Sequence, residues 1–235
     1  MTHGPSGCGR IRRHLRIAIA AGGALAVAGT ISACTGSAPS REELRAAAQT
    51  AAEEYVAAIA EQDLESADAM TEPSVLEVTE VDDTVDVRAA LPEATEPISE
   101  PWVEIVGQED TGGSTRLTFQ VSYQIGTVVG ADFIELAHAD GDPSEAWTVT
   151  DGLLVYGDVF ADRETVPVFA FGGVELQSTD TSNVSIWGYP GTYGTEATQA
   201  RQGLTVAPIS VILGAEVTPP WNDSLPMLEG VSDDG

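Results

Sequence analysis

The stretch TRLTFQVSYQI, residues 115–125, decides the fold. Leu117, Phe119, Val121, Tyr123 and Ile125 alternate with Thr118, Gln120, Ser122 and Gln124. Successive side chains of a strand point to opposite faces, so this period of two describes a strand with one buried and one wet face. Strands of that kind belong to antiparallel sheets covered on a single side. Something apolar must cover the buried face.

The cover lies upstream. Ser40-Arg41-Glu42-Glu43 is a capping box, in which a hydroxyl and a carboxylate three residues apart satisfy orphan backbone amides reciprocally. Behind it Leu44, Ala48, Ala51, Tyr55 and Ile59 recur at helical spacing and form one apolar stripe. Asp63 can cap a second, shorter helix that runs to Met70 and is stopped by Pro73. Residues 75–88 are acidic and β-branched, and Pro92, Pro97 and Pro101 punctuate a loop. Strands are then predicted over 102–108, 115–125, 131–138, 146–150 and 153–160, separated by DTGGS, DGDP and Asp151-Gly152 turns. Helices followed by a meander of antiparallel strands predict an α+β body, its helices packed on the sheet's apolar face.

Downstream the texture is all β. Short strands are predicted over 166–171, 174–177, 184–187 and within 204–217, and YPGTYG (189–194) reads as a turn cluster. The expected organisation is an export segment over 1–33, a tether over 34–39, an α+β domain over 40–160, a small all-β domain over 161–217 and a flexible acidic tail over 218–235.

The export segment has three parts. Arg10, Arg12, Arg13 and Arg16 make a positive patch, residues 17–29 are apolar, and Ser32 and Ala33 are small. That is the layout of a secretory signal peptide. Cys34 follows, and the whole pattern resembles a bacterial lipobox, with Ile31 where the consensus prefers Leu. The resemblance implies that Cys34 is diacylated and becomes the new N-terminus. Two acyl chains hold a protein on a bilayer where one does so only marginally. The expected localisation is the outer face of the cell membrane, with the membrane itself as partner through the lipid on Cys34.

Charge narrows the remaining partners. The chain carries a formal charge of −27 and no lysine. All of its acids follow Cys34, whereas four of its arginines precede it. Such a surface repels nucleic acid, whose binding rests on cationic contacts to phosphate. Without lysine there is no Ser-x-x-Lys nucleophile, Walker-type phosphate loop or Schiff base. His138 is the one histidine beyond the export segment; it ends the strand expected over 131–138, beside the turn in ELAHADGDP, and reads as a solvated or hydrogen-bonded turn residue. The acids around it lack the spacing of a calcium loop, so neither a metal nor another cofactor is expected. Trp187, Tyr189 and Tyr193 cluster around a Pro-Gly turn and offer a contact patch for an envelope protein or a glycan, with packing in a small β core as the alternative.

EYVAAIAEQDLESADAM, residues 54–70, resembles the first helix and the start of the second in the ketosteroid-isomerase-like, or nuclear-transport-factor-like, superfamily. Members often read Y-V-A-A-(hydrophobic)-x-x-G-D-(hydrophobic); here Gln62 replaces the glycine, while Asp63 and Leu64 fit. The resemblance implies a curved sheet wrapped against helices around a conical pocket. It would make Tyr55 an oxyanion donor and ligand contact, but the family's base falls near Thr79, which is no carboxylate. Glu77 and Glu80 stand close but out of register. Lipobox, tether, cone domain and small β module together resemble secreted lipoproteins of high-GC Gram-positive bacteria. The expected role is a non-catalytic binding or spacing module of the cell envelope. Its alternatives are a carrier of a small apolar ligand in the cone and an isomerase- or hydratase-like enzyme using Tyr55.

Overall fold

Ser40 starts the first helix with both halves of the capping box in place. Its Oγ accepts from the Glu43 amide at 3.2 Å, and its own amide donates to the Glu43 carboxylate at 2.7 Å. The computed structural model describes residues 40–77, 84–111, 113–139, 146–179, 183–202, 204–214, 227–228 and 230–232. The expected export segment at 1–33, Cys34 and the tether lie outside the described residues.

Three helices come first: α1 (Arg41–Ala60), α2 (Leu64–Ala69) and α3 (Pro73–Leu76). Then come β1 (Val85–Asp86), a 3₁₀ helix (Arg88–Glu93), β2 (Glu96–Thr111), β3 (Ser114–Ile125), β4 (Val128–Ala139) and β5 (Thr148–Asp151). The remaining strands are β6 (Val155–Ala161), β7 (Val168–Phe171), β8 (Val174–Gln177), β9 (Asn183–Gly188) and β10 (Gly191–Gln199). They end with β11 (Leu204–Val206), β12 (Ile209–Leu213), β13 (Met227–Leu228) and β14 (Gly230–Ser232). The protein is mixed α+β, mostly strand, with a curled antiparallel half-barrel sheet.

The alternation in β3 is realised residue by residue. Leu117, Phe119, Val121, Tyr123 and Ile125 are buried, and each intervening residue is at least partly exposed. They pack with Ala48, Ala52, Tyr55, Val56 and Ile59 of α1 and with Ile134 and Leu136 of β4. Fully burying a side chain of this size stabilises by about 1.5–3 kcal/mol, so the α1–sheet contact is the main cohesive surface of this region.

Gln62 ends α1 in the left-handed region, at φ 61. A non-glycine residue there is strained, which explains why the pattern it resembles has glycine at this place. The glutamine amide offsets the strain by donating to the carbonyls of Ala94 at 2.7 Å and Leu91 at 3.2 Å. It thereby ties the end of α1 to the 3₁₀ helix.

The principal sheet runs β5-β4-β3-β2-β10-β7-β8, with β12 also on β10. A second sheet runs β1-β9-β6-β13, and β11 pairs with β14. Strands from both sides of residue 160 therefore share each of the two larger sheets. A second apolar cluster, around Phe169, Phe171, Tyr193 and Leu213, also takes Val87, Ala90 and Val159 from before that point.

Three local expectations change. Pro97 and Pro101, expected in a loop, lie inside β2. Pro101 falls where the register with β3 shifts between Ser99 and Trp102, a bulge at which no ladder amide is needed, while Pro97 stands near the strand's start opposite Gly191 of β10. The expected turn at 189–194 yields to β10, whose Gly191 to Thr195 pair with β12. Within the expected tail, Met227–Leu228 pairs with β6 and Gly230–Ser232 with β11. The rest of that tail lies outside the described residues.

Candidate binding surface

Tyr55 sits on the inner side of α1 and has no exposed surface. The Leu153 amide donates to its hydroxyl at 3.0 Å. Burial, foremost, raises its pKa, against the pull of Leu153, Thr71 and Tyr189, which favour the ionised form. Gly152 closes the site: a Cβ there would stand 2.7 Å from the Tyr55 hydroxyl. This phenol is a core side chain with an engaged hydroxyl and does not face any of the four surface hollows described below. Of the carboxylates weighed beside it, Glu77 is exposed, and Thr79 and Glu80 lie outside the described residues.

Trp187, Tyr189 and Tyr193, expected as an exposed patch, are buried, which corrects that expectation. Trp187 lies in β9, Tyr193 in β10, which replaces part of the expected turn, and Tyr189 in the short link between them; all three rings pack inward. Tyr193 stacks against Phe171 at 4.9 Å between centroids and donates to the Tyr189 carbonyl at 2.8 Å. Tyr189 donates to Asp68 Oδ1 at 2.8 Å. Burial raises the Tyr189 pKa, and Tyr55 and Asp68 push it the same way.

Asp68 belongs to a clasp. Arg88 reaches Asp68 at 3.2 Å and Asp86 at 2.8 Å, donates to the Leu76 carbonyl, and lies 5.5 Å from the centre of the Trp187 ring. One guanidinium thus joins α2, α3, β1, the 3₁₀ helix and β9. Its donors are spent on protein acceptors, so the arrangement is a fastening and not an open anion site.

His138 is also corrected. It lies in β4 opposite Thr115, only 5 % exposed, with its ring 5.2 Å from that of Trp147. Inward parity in the strand, which the neighbouring DGDP text conceals, puts it there. Its Nδ1 has no hydrogen-bond partner among the described residues. Asp140, Asp142 and Glu145 lie outside the described residues, and among the described residues no cluster of histidine, cysteine and acids could hold a metal.

The outer face of the same sheet is where large apolar groups meet water. Trp102 is 68 % exposed, Val129 65 % and Phe133 53 %. Trp102 stands opposite Ser122, which is opposite Ala131; Glu104 stands opposite Gln120, which is opposite Phe133; Gln124 stands opposite Val129. The rows therefore mix aromatic, aliphatic, amide and hydroxyl groups. Sequence reading missed them because β2 carries a bulge that shifts its phase, and Phe133 sits one step from the buried Ile134. The available signal was the apolar pair Phe133-Ile134, one of which must face outward in any strand.

Beside this face, two hollows of about 590 and 600 Å³ adjoin between α1 and β2. Arg41, Glu42, Arg45 and Ala46 line one, Glu53, Val56, Trp102 and Glu104 the other, and Gln49 and Ile105 both. A third lies at the Arg41–Asp110 end. A fourth, about 420 Å³, lies over Gly152 between Val75 and Tyr156. Among the described residues no helix is long and apolar enough to cross a membrane. Compared with protein-family models and with curated proteins, the chain matches none.

Proposed function

We propose that this protein is a non-catalytic binding or spacing module held at the outer face of the membrane by acyl chains on Cys34. Its body is a ketosteroid-isomerase-like cone extended by a small β portion. The observation that carries this reading is the contrast between the faces of one sheet. The inner face is filled by the chain's own side chains, with Tyr55 sealed and hydrogen-bonded, while the outer face presents Trp102, Val129 and Phe133 to solvent. Exposed apolar groups clustered among polar ones are a usual mark of a contact surface. A filled interior weighs against a carrier of apolar ligands. A sealed phenol whose carboxylate neighbour, Asp68, is taken up by Tyr189 and Arg88 weighs against an enzyme that uses Tyr55.

The acidic surface supports a body that stands off anionic headgroups on its tether. The test is to replace Cys34 with Ser and follow the chain in fractionated cells. Release to the medium and loss of acyl mass are expected. An unmodified full-length N-terminus in the native product would remove the anchoring part of the reading. A stoichiometric lipid carried by the purified chain would replace the module by a carrier.

A further inference from the structure

The edge of β2 is open over most of its length among the described residues. It pairs with β3 along its length, but with β10 only at Glu96 and Pro97. Among the described residues, no strand pairs with residues 98–111 on the side away from β3. The Val103 carbonyl points to that side, because Gln49 Nε2 reaches it from α1 at 2.9 Å. Alternate residues of an antiparallel strand direct both backbone groups the same way, so Ile105, two residues on and the last before a second register shift that ends at Gly107, also offers its amide there. The two adjoining hollows between α1 and β2 run along this edge. A free edge beside a helix, with a trough between them, is the geometry in which an extended peptide adds as a strand.

The trough is also electrically polar. Arg41 and Arg45 stand at one end beside Glu42; Glu53 and Glu104 stand at the other, next to the exposed Trp102 ring. Arg41 is shared with Asp110 at 3.0 Å, but Arg45 makes no ion pair among the described residues. A second copy is a poor occupant. Antiparallel self-pairing would set Glu100, Glu104, Glu109 and Asp110 of two such strands against one another, in a chain of charge −27.

We propose that this trough binds an extended peptide segment of a partner protein by strand addition to β2. The segment carries a basic residue at the Glu53–Glu104–Trp102 end, an acidic one at the Arg45 end, and apolar side chains between them against Val56 and Ile105. From Trp102 to Asp110 the strand spans roughly 25 Å, room for about seven extended residues. Gln49 is the placeholder: it covers the Val103 carbonyl until a peptide amide takes it. This names the partner class for the binding module proposed above and rests on that reading.

The test uses the full chain in detergent and ten-residue peptides with a Thr-Val repeat between a Lys-Lys end and a Glu-Glu end. Both directions are made, with a control carrying Glu-Glu at both ends. One direction is expected to bind and to slow hydrogen exchange at the Val103 and Ile105 amides, while the control does neither. Arg45→Glu should weaken binding about tenfold. Gln49→Ala should strengthen it about threefold by freeing the carbonyl. The proposal is overturned if neither direction binds, if the control binds equally, or if a peptide binds without protecting those two amides. It is also overturned if the amides are already protected in the free chain, which would mean that the chain itself or a second copy covers the edge. None of these results touches the lipid on Cys34, and loss of that lipid leaves the trough test intact.

Discussion

Strands β2, β3 and β4 have two faces built from the same few residues, and the faces behave unlike each other. On the inner side Leu117, Phe119, Val121, Ile134 and Leu136 are sealed under α1. On the outer side Gln120, Ser122 and Gln124 are interrupted by Trp102, Val129 and Phe133. The inner residues answer to packing, so their identity is dictated by volume. The outer ones have no packing role that accounts for their size, which is why the proposed contact surface is placed on that side.

The widest way to break this contrast is alkaline titration. Burial raises the pKa of Tyr55, Tyr123, Tyr189 and Tyr193, whereas Tyr156 is 67 % exposed. A phenol whose pKa is raised by folding contributes stability that is whole below the unfolded value of about 10 and is lost as pH climbs through the folded value. The four buried phenols should therefore ionise only as the whole fold opens above pH 10. Absorbance at 295 nm followed beside circular dichroism checks this, and ionisation of all five tyrosines with the fold intact would show that the inner side is not sealed.

A narrower cut compares two phenylalanines in neighbouring register pairs of β3 and β4. Phe119→Ala should cost about 3–5 kcal/mol, the transfer of a buried ring plus the cavity left behind. Phe133→Ala should stay within about 0.5 kcal/mol, because its ring already meets water. Urea unfolding of both variants measures the difference, and equal costs would erase the distinction between the faces.

The smallest effect sharpens the sheet's margin. Burial raises the Asp151 pKa, and Asp132 and Glu135 add to it. A carboxyl raised in this way favours the fold below its unfolded value of about 4 and loses that contribution as pH rises, so ionised Asp151 opposes folding at neutral pH. Asp151→Asn should raise the thermal midpoint modestly at pH 7 and leave it unchanged at pH 3. A gain of the same size at both values would trace the effect to something other than charge.

How much of this was legible depended on whether a residue's partner lay close in sequence. The capping box at Ser40 and the stripe through Tyr55 are local, and both appear as read. So does the alternation in β3, because a hairpin partner reinforces a strand's own period. Trp187, Tyr189 and Tyr193 were misplaced because their surroundings come from Asp68, Arg88 and Phe171, distant along the chain. His138 was misplaced because the turn residues beside it masked its parity in β4. Trp102 escaped notice because the bulge between Ser99 and Trp102 shifts the phase of β2, and Phe133 because it adjoins the buried Ile134.

Read alone, the amino acids determined the α+β class, the first helix and its covered strand, since these follow from periods of 3.6 and 2 within single segments. The joining of strands from before and after residue 160, the free edge of β2 and the burial of the late aromatics were decided only in three dimensions. Each depends on which distant backbone supplies a hydrogen bond, and sequence spacing carries no record of that choice.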